Sequence, residues 1–127
     1  PQDAADPWKT YRKGVLTNDF SSIDYTMGVW LHLTGSDGIL TTSMSGDYSF
    51  AAVDINLYAG WNLVSYPSAT SRQGDATLPP EANFVATYDG GAPYLITADA
   101  VPGAVLFSEG NAYWVQVTSD TVWSVAP

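Results

Sequence analysis

The amino-acid sequence is marked first by what it lacks. It contains no cysteine, so disulfide bonds, thiol nucleophiles and cysteine-ligated zinc sites are all excluded. His32 is the single histidine, and no apolar run approaches the roughly 18 residues that a membrane-spanning helix requires. We therefore expect no membrane insertion by this chain and no catalysis that depends on a thiol.

Basic residues are also scarce. Four lysine and arginine residues stand against thirteen aspartate and glutamate residues, which gives a net charge of −9 at pH 7. Only 13% of the residues are charged, which is about half the share found in an average soluble domain. Binding to phosphate groups requires clustered lysine and arginine, so nucleic acids and anionic membranes are not expected partners. Polysaccharides, cations and other proteins remain candidates.

The length of the chain, 127 residues, suits one domain with its own core. Chains of roughly 100 residues or more can bury enough apolar surface to fold without disulfides or metal ions. We therefore predict a single domain, residues 1–127, that needs no cofactor. A surface rich in hydroxyl and amide groups but poor in charge is typical of extracellular β-proteins.

Turn-forming residues divide the chain into short segments rich in valine, isoleucine, threonine, tyrosine and tryptophan, as expected of short strands. No window shows helical periodicity, apart from one short turn expected at Pro80. The pattern predicts an all-β fold, a compact sandwich or barrel-like domain. The predicted strands are 8–12, 28–34, 38–44, 51–58, 61–67, 84–89, 93–98, 104–108, 113–118 and 121–126.

Two of these strands indicate an internal repeat. Aligning Trp30 with Trp114 matches two tryptophan strands, each followed by a Ser-Asp turn and a last short strand. The intervening sequence occurs once, so residues 8–44 read as the back half of one unit and residues 45–127 as a complete unit. This arrangement predicts two pseudo-repeated halves and is the pattern expected of a piece of a tandem array.

The complete unit contains a recognisable succession of motifs. "LYAGWNLVSYP" is followed by "TLP", by "TYDGG" and by "EGNAYWVQVTSDTVWSV". This succession resembles a repeat family common in secreted and cell-surface proteins of archaea and bacteria, with a Gly-Trp-Asn-Leu-Val segment, a Tyr-Asp turn and a Gly-x-Tyr/Val-Trp strand. Residues 11–46 resemble the back half of the same unit. The resemblance implies an extracellular β-module beside adhesion, carbohydrate-active or scaffold domains, and it transfers no catalytic residue.

The first motif has a structural interpretation. Gly60 permits the turn after "INLY", the amide of Asn62 can bond a neighbouring turn, and Pro67 ends strand pairing because it lacks an N–H. Trp61 supplies a large apolar area, and burying an aromatic side chain stabilises a fold by roughly 1.5 to 3 kcal/mol. We therefore expect Trp61 to lie in the core, on the same strand face as Leu63.

Catalytic chemistry has little support in the sequence. A Ser-His-Asp site would depend entirely on His32, and no Gly-x-Ser-x-Gly motif is present. Glycoside hydrolysis requires two carboxylates facing each other across a cleft, but most acidic residues here are aspartates in turn sequences. A small hydrolase is therefore the third hypothesis, and non-enzymatic function is favoured.

Two kinds of ligand site remain open. Calcium takes oxygen ligands from loops, and "TNDFSSID" supplies Asn18, Asp19 and Asp24 as candidate ligands of a structural calcium ion. Solvated turns are the alternative interpretation of these residues.

The second kind of site is a carbohydrate site formed by exposed aromatic rings. Trp8 and Tyr94 are the favoured ligand-binding residues, because both follow proline near a loop edge. Trp30, Trp114 and Trp123 are further candidates. The sequence thus predicts a non-enzymatic extracellular module that acts in surface structure, adhesion or the spacing of neighbouring modules, with carbohydrate binding as the alternative function.

Overall fold

The computed structural model describes residues 9–32, 43, 51–89, 95–99 and 102–127. Within these ranges the protein is built of β-strands and two single 3-10 turns, Gly74–Ala76 and Pro102–Ala104, so the all-β prediction is confirmed. The strands are β1 (Val53–Leu57), β2 (Gly60–Ser65), β3 (Arg72–Gln73), β4 (Ala82–Asp89), β5 (Leu95–Asp99), β6 (Leu106–Phe107), β7 (Ala112–Val117) and β8 (Thr121–Val125).

The strands form three antiparallel sheets. The largest has four strands in the order β2-β7-β4-β5, while β1 pairs with β8 and β3 pairs with β6. Sequence reasoning predicted all of these strands except β3, whose two residues are too short to show an alternating pattern.

The core follows from strict alternation along β1 and β7. Val53, Ile55 and Leu57 of β1 are buried while the residues between them are exposed, and β7 buries every second residue in the same way. Buried apolar residues of β2, β4 and β7 belong to one hydrophobic cluster with those of the β1-β8 pair. This burial, at about 25 cal/mol for each Å² of apolar surface, is the main force that holds the sheets together.

Aromatic rings fill one end of this core around Trp123, which is 1% exposed. The ring of Trp123 stacks on Tyr66 and meets Phe107 edge to face, with centroid distances of 6.1 Å and 5.4 Å. Its Nε1 donates to the carbonyl of Thr77 at 2.6 Å, so the one polar atom of the indole is satisfied. Trp123 is therefore a core residue, and its prediction as a candidate carbohydrate platform is wrong.

The turn between β1 and β2 is fixed by Asn62, as predicted. Asn62 is 1% exposed; its Oδ1 accepts from the N–H of Tyr58 at 2.9 Å, and its Nδ2 donates to the Tyr58 carbonyl at 2.8 Å. Gly60 has a φ of 100°, a conformation that side chains rarely adopt. The "GWN" motif thus encodes a turn that is closed by a buried amide.

The expectation that Trp61 lies in the core is wrong. Trp61 is 45% exposed, because β2 directs Asn62 and Val64 inward and the residues between them outward. The sequence favoured the opposite face, since tryptophan is more apolar than asparagine. Burying a polar amide costs free energy unless its hydrogen bonds are made, and the amide of Asn62 is fully hydrogen-bonded. Because successive residues of a strand point to opposite faces, the burial of Asn62 places Trp61 on the outer face.

Residues 9–32 do not form the strands predicted at 8–12 and 28–34, over the part of each that the structure describes. Met27 makes a single antiparallel bridge to Val64 at the edge of the four-stranded sheet. Trp30 lies in this irregular segment, whereas Trp114 lies in β7, so the two residues differ in their local structure. Alternation alone was not enough, because a strand also requires a partner along its length. The predicted strand 38–44 lies outside the described residues, apart from position 43.

In the parts of the chain described above, no helix has the length and apolar character needed to cross a membrane.

Candidate binding surface

The outer face of the four-stranded sheet carries a row of two aromatic rings with an amide between them. Trp61 of β2 pairs with Gln116 of β7, and Gln116 pairs with Phe84 of β4. The rings of Trp61 and Phe84 are 6.4 Å apart between centroids and inclined by 49°. We call these three residues the aromatic row.

A β-bulge places Phe84 in this row. Ala82 pairs with Val117 and packs against the core, but the register shifts between Ala82 and Phe84. Without the shift, residues two apart on a strand would share one face. The extra residue, Asn83, therefore turns Phe84 to the outer face beside Trp61. Sequence reasoning assigned no role to Phe84 or Gln116, because a bulge leaves no mark in an alternating pattern.

A second aromatic pair lies on the same face, where residues 27–30 pass over it. Beyond the bridge at Met27, Gly28 packs so closely on Leu63 that a Cβ would lie 2.7 Å from the Leu63 Cγ. Trp30 then contacts Tyr88 of β4 edge to face at 5.3 Å. Trp30 and Tyr88 are 51% and 46% exposed. Tyr88 lies four residues beyond Phe84 on β4, about 13 Å along the strand.

This face carries no positive charge of its own, because β2, β4 and β7 contain no lysine or arginine. Three of the four basic residues lie within residues 9–13. The fourth, Arg72, donates from Nη1 to the hydroxyl groups of Tyr66 and Ser68. Its Nη1 also donates to the carbonyl of Ala126, and its Nη2 donates to the carbonyl of Pro127. The aromatic row is thus an apolar and amide surface, unsuited to anion binding.

The candidate calcium ligands are engaged in loop hydrogen bonds. Asn18 Oδ1 accepts from the N–H of Arg12 at 2.7 Å, and Asp19 Oδ2 accepts from the N–H of Thr10 at 3.0 Å. The structure thus brings Asn18 and Asp19 together against residues 10–12. Asp24 instead accepts from the N–H and hydroxyl of Thr26 in its own turn.

The loop of residues 10–19 also lines a shallow depression of about 160 Å³. That volume is smaller than the roughly 300 to 1,000 Å³ of typical small-molecule sites. Among the residues that the structure describes, no three histidine, aspartate or glutamate side chains cluster closely enough to hold a metal ion.

The predicted aromatic platforms have different outcomes. Trp8 and Tyr94 lie outside the described residues. Trp114 is half-buried at the centre of the outer face, paired with Leu63 and Ala86 on either side. The aromatic row itself was not predicted as a site, since Trp61 was assigned to the core; the signal available in the sequence was the polar Asn62 beside it.

In the described structure the histidine and several carboxylates occupy exposed or structural positions. His32 and Glu109 are both exposed. Asp120 Oδ1 accepts from the N–H of Ala59 at 2.8 Å, and Glu81 Oε2 accepts from the hydroxyl of Thr121 at 3.1 Å. These carboxylates hold loops and strand ends, which is the role that the turn sequences predicted for most of the acidic residues.

In comparisons with known proteins, no protein family, curated protein or solved structure matches the chain.

Proposed function

We propose that this protein is a non-enzymatic extracellular module of a cell-surface or secreted multi-modular protein. In this role it contributes to surface structure, adhesion or the spacing of neighbouring modules. Its partners are then the adjoining modules of the same chain or other surface proteins, with polysaccharide as a further candidate.

The observation that carries this proposal is that residues of the repeat motifs form a turn and the core. Gly60 and Asn62 build a turn, while Tyr113 and Trp123 fill the core. These four residues of the repeat pattern are therefore used for folding, which is what a spacer or scaffold unit requires. The hydrogen-bonded carboxylates support a non-enzymatic role in the same way.

The finer architecture is part of the proposal. The core shared by the four-stranded sheet and the β1-β8 pair favours a sandwich over a barrel. We further propose that residues 45–127 form the complete repeat unit, because every strand within the described ranges lies between residues 53 and 125. Residues 8–44 are then the back half of a preceding unit.

Location can be tested directly with antibodies raised against the folded protein. The antibodies should bind to intact, unpermeabilised cells of the source organism or to protein in their culture medium. Reaction only after the cells are opened would contradict the extracellular assignment.

Catalysis can be tested with the purified protein on common polysaccharides and esters. We expect no hydrolysis of any of them. Turnover that is abolished by Asp19→Asn or Glu109→Gln would instead support the small-hydrolase hypothesis.

Carbohydrate binding is the second candidate function, and one specific observation favours it. Trp61 is exposed on a sheet face beside a second aromatic ring, whereas a purely structural tryptophan would be expected in the core.

A further inference from the structure

We propose that the aromatic row Trp61–Gln116–Phe84 binds a neutral polysaccharide on the outer face of the four-stranded sheet. This inference rests on the proposed function as an extracellular module and names the partner of that module. The proposed site is different from Trp8 and Tyr94, the ligand-binding residues that the sequence favoured.

The chemistry of the row matches the chemistry of a pyranose ring. A pyranose presents an apolar face of C–H groups and a rim of hydroxyl groups. The exposed part of Trp61, about 110 Å² if a tryptophan side chain presents up to roughly 250 Å², offers an apolar surface for that face. Gln116, half-buried between the two rings, offers an amide donor and acceptor for the hydroxyl rim.

The fold supplies this arrangement at a cost. A bulge at Asn83 interrupts the pairing of β4 with β7 and brings Phe84 to the side of Trp61. Trp61 itself leaves nearly half of its surface in water. Bulges often re-aim a side chain next to a binding site, and exposed aromatic side chains beside polar groups are typical of recognition surfaces.

Charge and area argue for a neutral glycan over other occupants. The strands of this face carry no lysine or arginine, and the chain has a net charge of −9, so an anionic polymer would be repelled. The row is also far smaller than the roughly 800 Å² per partner that a stable protein interface buries.

The second pair, Trp30 and Tyr88, extends the surface along β4. Its distance of about 13 Å from Phe84 along the strand suits an extended chain of several sugar units. We therefore expect oligosaccharides long enough to reach both pairs to bind more tightly than disaccharides of the same linkage.

The test is isothermal calorimetry and affinity electrophoresis of the full chain against soluble neutral β-glucan, xylan and mannan. At least one of these should bind, and Trp61→Ala should weaken that binding roughly tenfold or more, as expected when one stacking ring is lost. Phe84→Ala and Gln116→Ala should weaken it as well. Tyr11→Ala, which removes an exposed aromatic ring of the loop of residues 10–19 that packs on Phe20, should bind as the unchanged protein does.

Folding of each variant is checked by the near-ultraviolet circular dichroism of the buried aromatic cluster. If Trp61→Ala fails this check, Trp61→Phe and Gln116→Ala provide the measurement, with binding expected to be largely kept in the first and weakened in the second. Unchanged binding in folded Trp61→Ala would overturn the site.

The remaining outcomes separate this inference from the proposed function. Binding of none of the three polysaccharides would overturn the inference and leave the non-enzymatic module standing. Sedimentation showing a dimer that Trp61→Ala abolishes would also overturn it, because the row would then be an interface between two copies of the chain. Hydrolysis of a bound polysaccharide would instead contradict the proposed function.

Discussion

At the scale of single residues, the tryptophans of the described strands differ by the strand face on which they lie. Trp123 is buried because it alternates inward with Val125, and its indole N–H reaches the Thr77 carbonyl. Trp61 is exposed because Asn62 occupies the inward position beside it. Side-chain size alone therefore does not indicate which tryptophan supports the fold.

The different roles of these two tryptophans predict different stabilities. Trp123→Ala should lower the free energy of unfolding by roughly 3 to 5 kcal/mol, the range for deleting a buried aromatic side chain. Trp61→Ala should lower it by about 1 kcal/mol or less, since the side chain is largely outside the core. Urea unfolding of both variants measures the difference. Equal losses would contradict the assignment of the two faces.

A second residue-scale prediction concerns the buried amide of Asn62. Asn62→Leu removes the hydrogen bonds to the N–H and carbonyl of Tyr58, and should cost about 2 to 4 kcal/mol in stability. Asn56→Leu, at an exposed position of β1, is the matched control and should cost about 0.5 kcal/mol or less. Urea unfolding measures both values. A stable Asn62→Leu protein would show that the turn closes without the amide.

At the scale of elements, the sequence pattern predicted every described strand except β3, whose two residues are too few to alternate. β1, β2, β7 and β8 lie within one or two residues of their predicted bounds. The same alternation at residues 28–32 gave no strand, because in the described structure the pairing of this segment with β2 amounts to a single bridge at Met27. The face of Trp61 and the bulge at Asn83 could not be predicted, since both depend on tertiary hydrogen bonding and register.

Arg72 provides the element-scale prediction, because it joins β3 to the end of β8. Its guanidinium donates at 2.9 Å to the Ala126 carbonyl and at 2.7 Å to that of Pro127. Arg72→Lys keeps the charge but loses the two-nitrogen fork, and should cost about 1.5 to 3 kcal/mol. Hydrogen exchange should accelerate in β8 and remain unchanged in β7.

The control for this variant is Arg12→Lys, which makes the same change at an exposed arginine in the loop of residues 10–19. It should leave both the exchange of β8 and the unfolding midpoint unchanged. Equal behaviour of the two variants would mean that the Arg72 fork does not hold the end of β8.

At the scale of the whole molecule, the length of the chain predicts a fold that needs no metal ion. Asn18, Asp19 and Asp24 already accept backbone hydrogen bonds that shape their loops. We therefore expect the melting temperature to be the same in EDTA and in excess calcium. A large decrease on chelation, reversed by calcium and abolished in Asp19→Asn, would establish the structural calcium ion that the loop sequence left open.

The last prediction tests whether residues 45–127 form the complete unit. The described strands all lie within this range, and among the described residues the core cluster begins at Val53. The shortened chain loses the bonds from Ser65 to the carbonyls of Tyr25 and Thr26 and the packing of Gly28 on Leu63. Two lost hydrogen bonds, at about 1 kcal/mol each, should lower the melting temperature by about 10 °C.

Unfolding of residues 45–127 should nevertheless remain cooperative, with the near-ultraviolet signal of Trp123 intact, because residues 27–30 contact the sheet from outside its core. Thermal denaturation followed at two wavelengths provides the measurement, and the two transitions should coincide. Gly28→Val in the full chain is the matched control: it disturbs the same contact by crowding Leu63, and it should lower the melting temperature by no more than the truncation does. A shortened chain that melts without a transition would mean that residues 1–44 belong to the domain, and the boundary at 45 would have to be abandoned.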